Sequence, residues 1–179
     1  RRIGLSQGQS IPIYGGFRLS GNVTPKLRIG AMSMQTANDD ELGTLGQNYT
    51  VAAFQQRVLK RSNIAGILVN RFAFDGTDPQ KGDYNTIVGM DFNIFSENNY
   101  WRGKAFFHQS FSDGYEKDAF AQAFWLRYNT GKVFLEWNHE YVGENYQADV
   151  GFLPRHDYFR LEPIASYTLF PKNRNTINN

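Results

Sequence analysis

The sequence predicts an all-β fold, an antiparallel up-and-down transmembrane β-barrel of which about nine strands lie in this chain. Apolar and polar residues alternate along many segments, which is the period of a strand with two unlike faces. Most segments are about ten residues long, and a tilted strand needs about 9–11 residues to cross a bilayer. Short and long connections alternate, as tight periplasmic turns and longer outer loops do in outer-membrane barrels.

The elements follow one another along the whole chain. The predicted strands lie at 11–20, 26–36, 49–60, 63–74, 86–95, 101–111, 119–128, 133–142 and 158–169. Short connections are predicted at 22–26, 61–63, 96–100, 129–132 and 171–175, and longer ones at 36–47, 75–85, 112–118 and 143–156. Bacterial single-chain barrels have an even number of strands. We therefore expect residues 1–179 to be a single segment of a larger barrel domain, with no second domain in this chain.

The composition agrees with a barrel. Aromatic residues make up 16% of the chain, yet its mean hydropathy is −0.52. This combination is typical of barrels because only half of each strand meets lipid. The net charge of +2 gives no reason to expect a nucleic-acid partner, and the lack of cysteine excludes thiolate metal sites. We expect a bacterial outer-membrane location, outer-membrane lipid as the main partner, and no cofactor.

The stretch FWLRYNTGKVFLEWNHEYV, residues 124–142, shows the alternation most clearly. We predict a hairpin there with Tyr128 opposite Val133. A second predicted hairpin turns at 96–100 and places Ile94 opposite Trp101. In both hairpins the large apolar pairs fall on one face and the polar pairs on the other, as cross-strand pairing favours.

Two sets of residues follow from these faces. The set predicted to line a water-filled lumen is Arg28, Asp91, Asn93, Arg102, Lys104, His108, Arg127, Glu136, Asn138 and Glu140. The set predicted to face lipid or to form interfacial girdles is Phe92, Ile94, Trp101, Phe107, Phe124, Leu126, Tyr128, Leu135, Trp137 and Tyr141. The orientation of 49–60 and 63–74 stays open because both of their faces fit either role.

Catalytic and metal-binding patterns are weak. The three histidines are far apart in the sequence and lack the spacing of a metal site. Glu136 and Glu140 lie four residues apart on one strand, about 13 Å, too far for a glycosidase carboxylate pair. We therefore predict no catalytic or metal-binding residue and no enzyme activity.

Three stretches carry a family resemblance: RRIGLSQGQSIPIYGGFRLSGNV (1–23), QQRVLKRSNIAGILVNR (55–71) and YQADVGFLPRHDYFR (146–160). Together they resemble the barrel domain of an uncharacterised family of Gram-negative outer-membrane proteins. In that family a carbohydrate-binding family 9-like module precedes a large C-terminal β-barrel. The resemblance implies a longer protein, with a sugar-binding module ahead of Arg1 and a transport, secretion or scaffold role. It also implies glycan as a partner through that module, and other outer-membrane subunits as candidate neighbours.

Two alternatives remain open at this level. The first is a soluble β-sandwich that binds carbohydrate through rows of Trp and Tyr. The second is a glycan-active hydrolase, which requires a carboxylate pair in a cleft.

Overall fold

The computed structural model describes residues 3–6 and 8–170; the connection predicted at 171–175 lies outside them. Its twelve strands are β1 Leu5–Ser6, β2 Gln9–Ser10, β3 Ile13–Asn22, β4 Leu27–Thr36, β5 Gly46–Val58, β6 Ser62–Asp75, β7 Asp78–Phe95, β8 Trp101–Ser112, β9 Phe120–Asn129, β10 Val133–Val142, β11 Tyr158–Leu161 and β12 Ile164–Tyr167. All strand pairs are antiparallel. The prediction of an antiparallel all-β fold is confirmed.

Ten strands form one sheet in which each long strand pairs with the next one in sequence. The order runs from β3 through β10 to β11, and β12 also pairs with β10. A two-stranded sheet of β1 and β2 lies apart from it. Within the described residues β3 and β11 do not pair, so the sheet is open and no closed barrel is seen.

The prediction of a long loop at 75–85 is wrong. Strands β6 and β7 continue outward to a tight turn at Gly76 and Thr77, with Asp75 paired to Asp78. Gly76 has a φ of +60°, which only glycine adopts readily. The Asp, Gly and Pro residues of this stretch indicated a long loop, but only two of its positions form the turn.

The single strand predicted at 158–169 is also wrong, because β11 and β12 are separate strands. Both pair with β10, and they are separated by Glu162 and Pro163. Proline has no N–H to donate to the ladder, so pairing is interrupted where it stands.

Both predicted hairpin registers are wrong by two residues. Leu135 lies opposite Tyr128, and Ile94 lies opposite Gly103. In the first hairpin the turn is tighter than predicted, since the Thr130 N–H donates to the Val133 carbonyl and only Gly131 and Lys132 lie between. A slip of two leaves every side chain on its own face, because the side-chain period is two.

The strand pairing therefore defines two faces of the sheet, and each predicted set lies entirely on one of them. All ten residues of the predicted lumen set lie on one face, which we call the inner face, and all ten of the apolar set lie on the opposite, outer face. The open question for 63–74 is resolved: Ala65, Ile67 and Val69 belong to the inner face, and Ile64 and Leu68 to the outer.

Burial is slight for a chain of this size. None of the 15 phenylalanines is buried, and the buried apolar residues are mostly small, such as Ala73, Ala119 and Ala121. Among residues 3–6 and 8–170, no helix has the length and apolar character to cross a membrane. The exposed apolar surface lies mainly on the outer face, including Phe54, Met90, Phe107 and Trp137.

Candidate functional site

The inner face carries charged side chains that pair between neighbouring strands. The Asp91 carboxylate lies 3.1 Å from Lys104 Nζ and 3.0 Å from His108 Nε2. Arg127 Nε donates to Glu136 Oε2 at 2.7 Å. These groups are half-exposed, so each pair contributes little stability by itself. Their effect is to present fixed charges of both signs on one surface.

The pairing continues towards β11. Arg160 lies 2.9 Å from Glu140, and the Asn138 amide donates to Glu162 at 3.0 Å. Asn93 donates to Asn63 at 2.9 Å. Arg28 and Arg102 differ from the other charged residues of the predicted set, because neither forms an ion pair within the described part of the chain.

A long segment between β10 and β11, Gly143 to Asp157, lies across the inner face; we call it the cross-segment. It leaves β10 where the Gly143 N–H donates to the Phe120 carbonyl at 2.9 Å. Gly143 is required here, since a Cβ would overlap the Asp118 carbonyl oxygen. The Asp118 carboxylate then accepts bonds from the Tyr141 hydroxyl and the Glu144 N–H. The start of the segment is therefore held tightly against the β8–β9 connection.

The apolar part of the cross-segment packs on the inner face. Tyr146 is 5% exposed and forms a cluster with Ala121 and Val142, against which Phe106 and Leu153 pack. Burial raises the pKa of the Tyr146 hydroxyl, which therefore stays neutral at physiological pH. A cleft of about 520 Å³ lies between this segment and the inner face of the sheet.

Polar side chains of the inner face bind the middle of the cross-segment. Asn85 donates to the Gln147 carbonyl at 3.1 Å and accepts from the Asp149 N–H at 3.2 Å. The Ser110 hydroxyl accepts the Gln147 N–H at 3.1 Å. Asn85 and Ser110 are almost completely buried, so these bonds satisfy groups that have no access to water.

Arg71 is the charged centre of this attachment. Its Nε donates to Asp149 at 2.7 Å, and its terminal nitrogen Nη1 contacts both Asp83 at 2.6 Å and Gln47 at 2.7 Å. The Arg71 side chain is 8% exposed. A buried guanidinium is stable only when its donors are paired. Arg71 thus joins β5, β7 and the cross-segment.

The sequence analysis missed this cluster. Arg71 lies in the stretch 63–74, whose orientation was left open, and Asn85 lies in the stretch mistaken for a loop. One signal was present: an arginine inside the mostly apolar run ILVNRFAF needs a partner when it is buried. The sequence around Arg71 gives no indication that its partner is Asp149.

Among the described residues, no three His, Cys, Asp or Glu side chains converge as metal ligands. The Asp91 carboxylate contacts both His108 and Lys104. The inner face presents a charged surface, and the cross-segment narrows the space in front of it.

The outer face carries an aromatic cluster towards each of its two ends, and Phe92, Phe124 and Trp137 lie between them. Trp101 lies 4.7 Å from Tyr128 between ring centroids, and Tyr100 lies 6.2 Å from Tyr128, all at the short-turn end. Towards the long connections, Phe120 lies 5.6 Å from Phe107 and 5.1 Å from Tyr141. Phe120 was missing from the predicted apolar set.

Comparisons with known proteins identify no relative: no family model, no curated protein and no solved structure matches this chain.

Proposed function

We propose that this chain is a segment of a transmembrane β-barrel in the bacterial outer membrane, with a transport role and no catalytic activity. The observation that carries the proposal is the distribution of polarity between the faces. Ion pairs lie on the inner face, whereas large exposed apolar side chains cover the outer face. A water-soluble sheet buries its apolar face, while a membrane barrel turns it towards lipid.

The height of the apolar band supports the proposal. On β8 the outer face is apolar from Trp101 up to Phe107, and Gln109 follows. On β7 the band reaches the level of Gln109, because Val88 lies opposite it. The eight residue steps from Trp101 to Gln109 cover about 26 Å along the strand. At a tilt of about 40° this is about 20 Å along the membrane normal, close to the apolar band of outer-membrane barrels, about 25 Å.

The outer face becomes polar above this band. Asn70 donates to Thr86 at 2.7 Å, and the Ser33 and Thr50 hydroxyls lie 3.3 Å apart. Together with the two aromatic clusters, these pairs give the apolar band a boundary at the long-connection end. Aromatic girdles at both interfaces are typical of outer-membrane barrels.

The cross-segment gives the proposed barrel a narrowed interior. A barrel lumen lined by charges of both signs conducts small polar solutes, and a segment folded into it limits their size. We propose that strands outside the described residues pair with β3 and β11, since exposed sheet edges invite aggregation. We also propose, from the resemblance alone, that glycan recognition belongs to a module ahead of this barrel.

The proposal is tested with membranes of a bacterium that expresses the protein. A barrel stays in the membrane through a carbonate wash and migrates compactly on a gel until it is boiled. If the protein is released by the wash and boiling does not alter its mobility, the outer face is not lipid-exposed. The soluble carbohydrate-binding domain then becomes the leading hypothesis, and a turnover assay on glycans separates it from the hydrolase.

A further inference from the structure

A groove of about 350 Å³ opens at the short-turn end of β3, β4 and β5. Four cations line it, Lys26, Arg28, Arg57 and Arg61, together with polar groups that include Gln55 and Asn63. No carboxylate is among its lining side chains. The chain as a whole is nearly neutral, with 19 basic and 17 acidic residues, so this concentration of positive charge is local.

The basic side chains that line the groove have no acidic partners within the described residues. Within the described chain, neither Lys26, Arg28 nor Arg57 takes part in an ion pair. Glu97, on the adjacent turn, is bound by Lys60 at 2.7 Å. Arg61 is held in place by the same turn, where it donates to the Ser96 carbonyl at 3.1 Å.

Elsewhere on the inner face, acidic side chains lie next to basic ones. On β7 to β11 the acidic groups Asp91, Glu136 and Glu140 each have a basic partner within about 3 Å. A cluster of cations without counter-charges raises the local concentration of anions. Guanidinium groups also match oxyanions by paired N–H donors.

The groove continues into an apolar trough along the inner face. Arg28 and Gln55 line both spaces. The trough, of about 630 Å³, is lined mainly by apolar side chains such as Met32, Val51 and Ile67, and also by Arg18 and by Asp91, which is paired with Lys104 and His108. A ligand whose charged end lies in the groove therefore has apolar surface next to it.

We propose that this groove is a binding site for a phosphate, sulfate or carboxylate group, held mainly by Arg28 and Arg57. The oxyanion comes from a free solute or from the head of an amphiphile whose chain lies in the trough. The site is built from the inner face and the short turns next to it, so it does not depend on whether the outer face meets lipid.

The test is titration calorimetry at low ionic strength on the full-length protein, in zwitterionic detergent or, if it is water-soluble, in buffer. The probes are inorganic phosphate and hexyl phosphate. The test variant is R28Q with R57Q. The control variant is K117Q with K132Q, which removes the same charge from exposed lysines of two other connections.

We expect wild type and control to bind at least one probe with equal affinity, and the R28Q and R57Q variant to bind it at least tenfold more weakly. Added salt should weaken binding, because exposed charges are screened. Equal affinity for both probes identifies a free solute as the ligand, whereas tighter binding of hexyl phosphate identifies an amphiphile. If wild type binds neither probe at millimolar concentration, or if the R28Q and R57Q variant binds like the control, the proposal is wrong. If the double variant does not fold, the single variant R57Q is titrated in its place and the same outcomes apply.

Discussion

Arg71 and Asp149 are 78 residues apart in sequence, yet Arg71 Nε donates to the Asp149 carboxylate at 2.7 Å. This contact attaches the cross-segment to the wall of the sheet. Because the Arg71 side chain is 8% exposed and Asp149 27%, the pair is shielded from water on one side. We infer that this contact decides whether the cross-segment stays on the inner face.

The substitution Arg71→Gln should release the middle of the cross-segment. Loss of one partner of a buried ion pair costs about 3–5 kcal/mol. Here we expect about 1–3 kcal/mol, because Asp83 and Asp149 regain water. Limited trypsin digestion should cut faster after Arg155, and single-channel conductance should rise. The control is Arg102→Gln, which removes an arginine that has no ion pair in the described residues. Equal digestion of both variants would contradict the role of Arg71.

A charge placed on the outer face distinguishes lipid from water. Met90 is 55% exposed, so in water Met90→Arg should change the free energy of unfolding by less than about 0.5 kcal/mol. In a bilayer the same change should cost about 2–4 kcal/mol. Urea unfolding of the protein in lipid vesicles measures the difference. Ser166→Arg, at an exposed position of the inner face on β12, serves as the control and should have little effect in either case.

The ion pairs of the inner face should govern ion selectivity. The change Lys104→Glu replaces the partner of Asp91 by a like charge and adds negative charge to the wall. We expect the reversal potential in a planar bilayer under a salt gradient to shift towards cation preference. Lys81→Glu, on the outward extension of β7, should shift it much less. A protein that conducts no ions would show that the barrel is plugged or purely structural.

Gly143 should tolerate no side chain. In Gly143→Ala the new methyl group would overlap the Asp118 carbonyl oxygen, so the start of the cross-segment must move. We expect a loss of about 1–3 kcal/mol in unfolding free energy, as for other overpacked sites. Gly15→Ala is the matched control, since no atom lies within 4 Å of the added Cβ. A heat-modifiability midpoint compares the two variants, and equal midpoints would show that the segment adapts without cost.

Much of the fold was predictable because alternation is a local property. The faces of residues such as Asp91, Phe92 and Trp137 follow from a period of two, which holds whatever the register. The two-residue slips in both hairpins went undetected for the same reason. The extension of β6 and β7 was missed because Asp, Gly and Pro indicate a turn without indicating how many residues it contains.

The sequence by itself determined the strand class, the approximate strand positions and the faces of the residues in the two predicted sets, since backbone pleating acts over neighbouring residues. Only the tertiary structure decided the partner of Arg71, the path of the cross-segment and the meeting of Lys26, Arg28, Arg57 and Arg61. These depend on which strands lie side by side and how far each is shifted along the next. That arrangement is set by hydrogen bonding between one strand and another, for which the pattern within a single strand carries no signal.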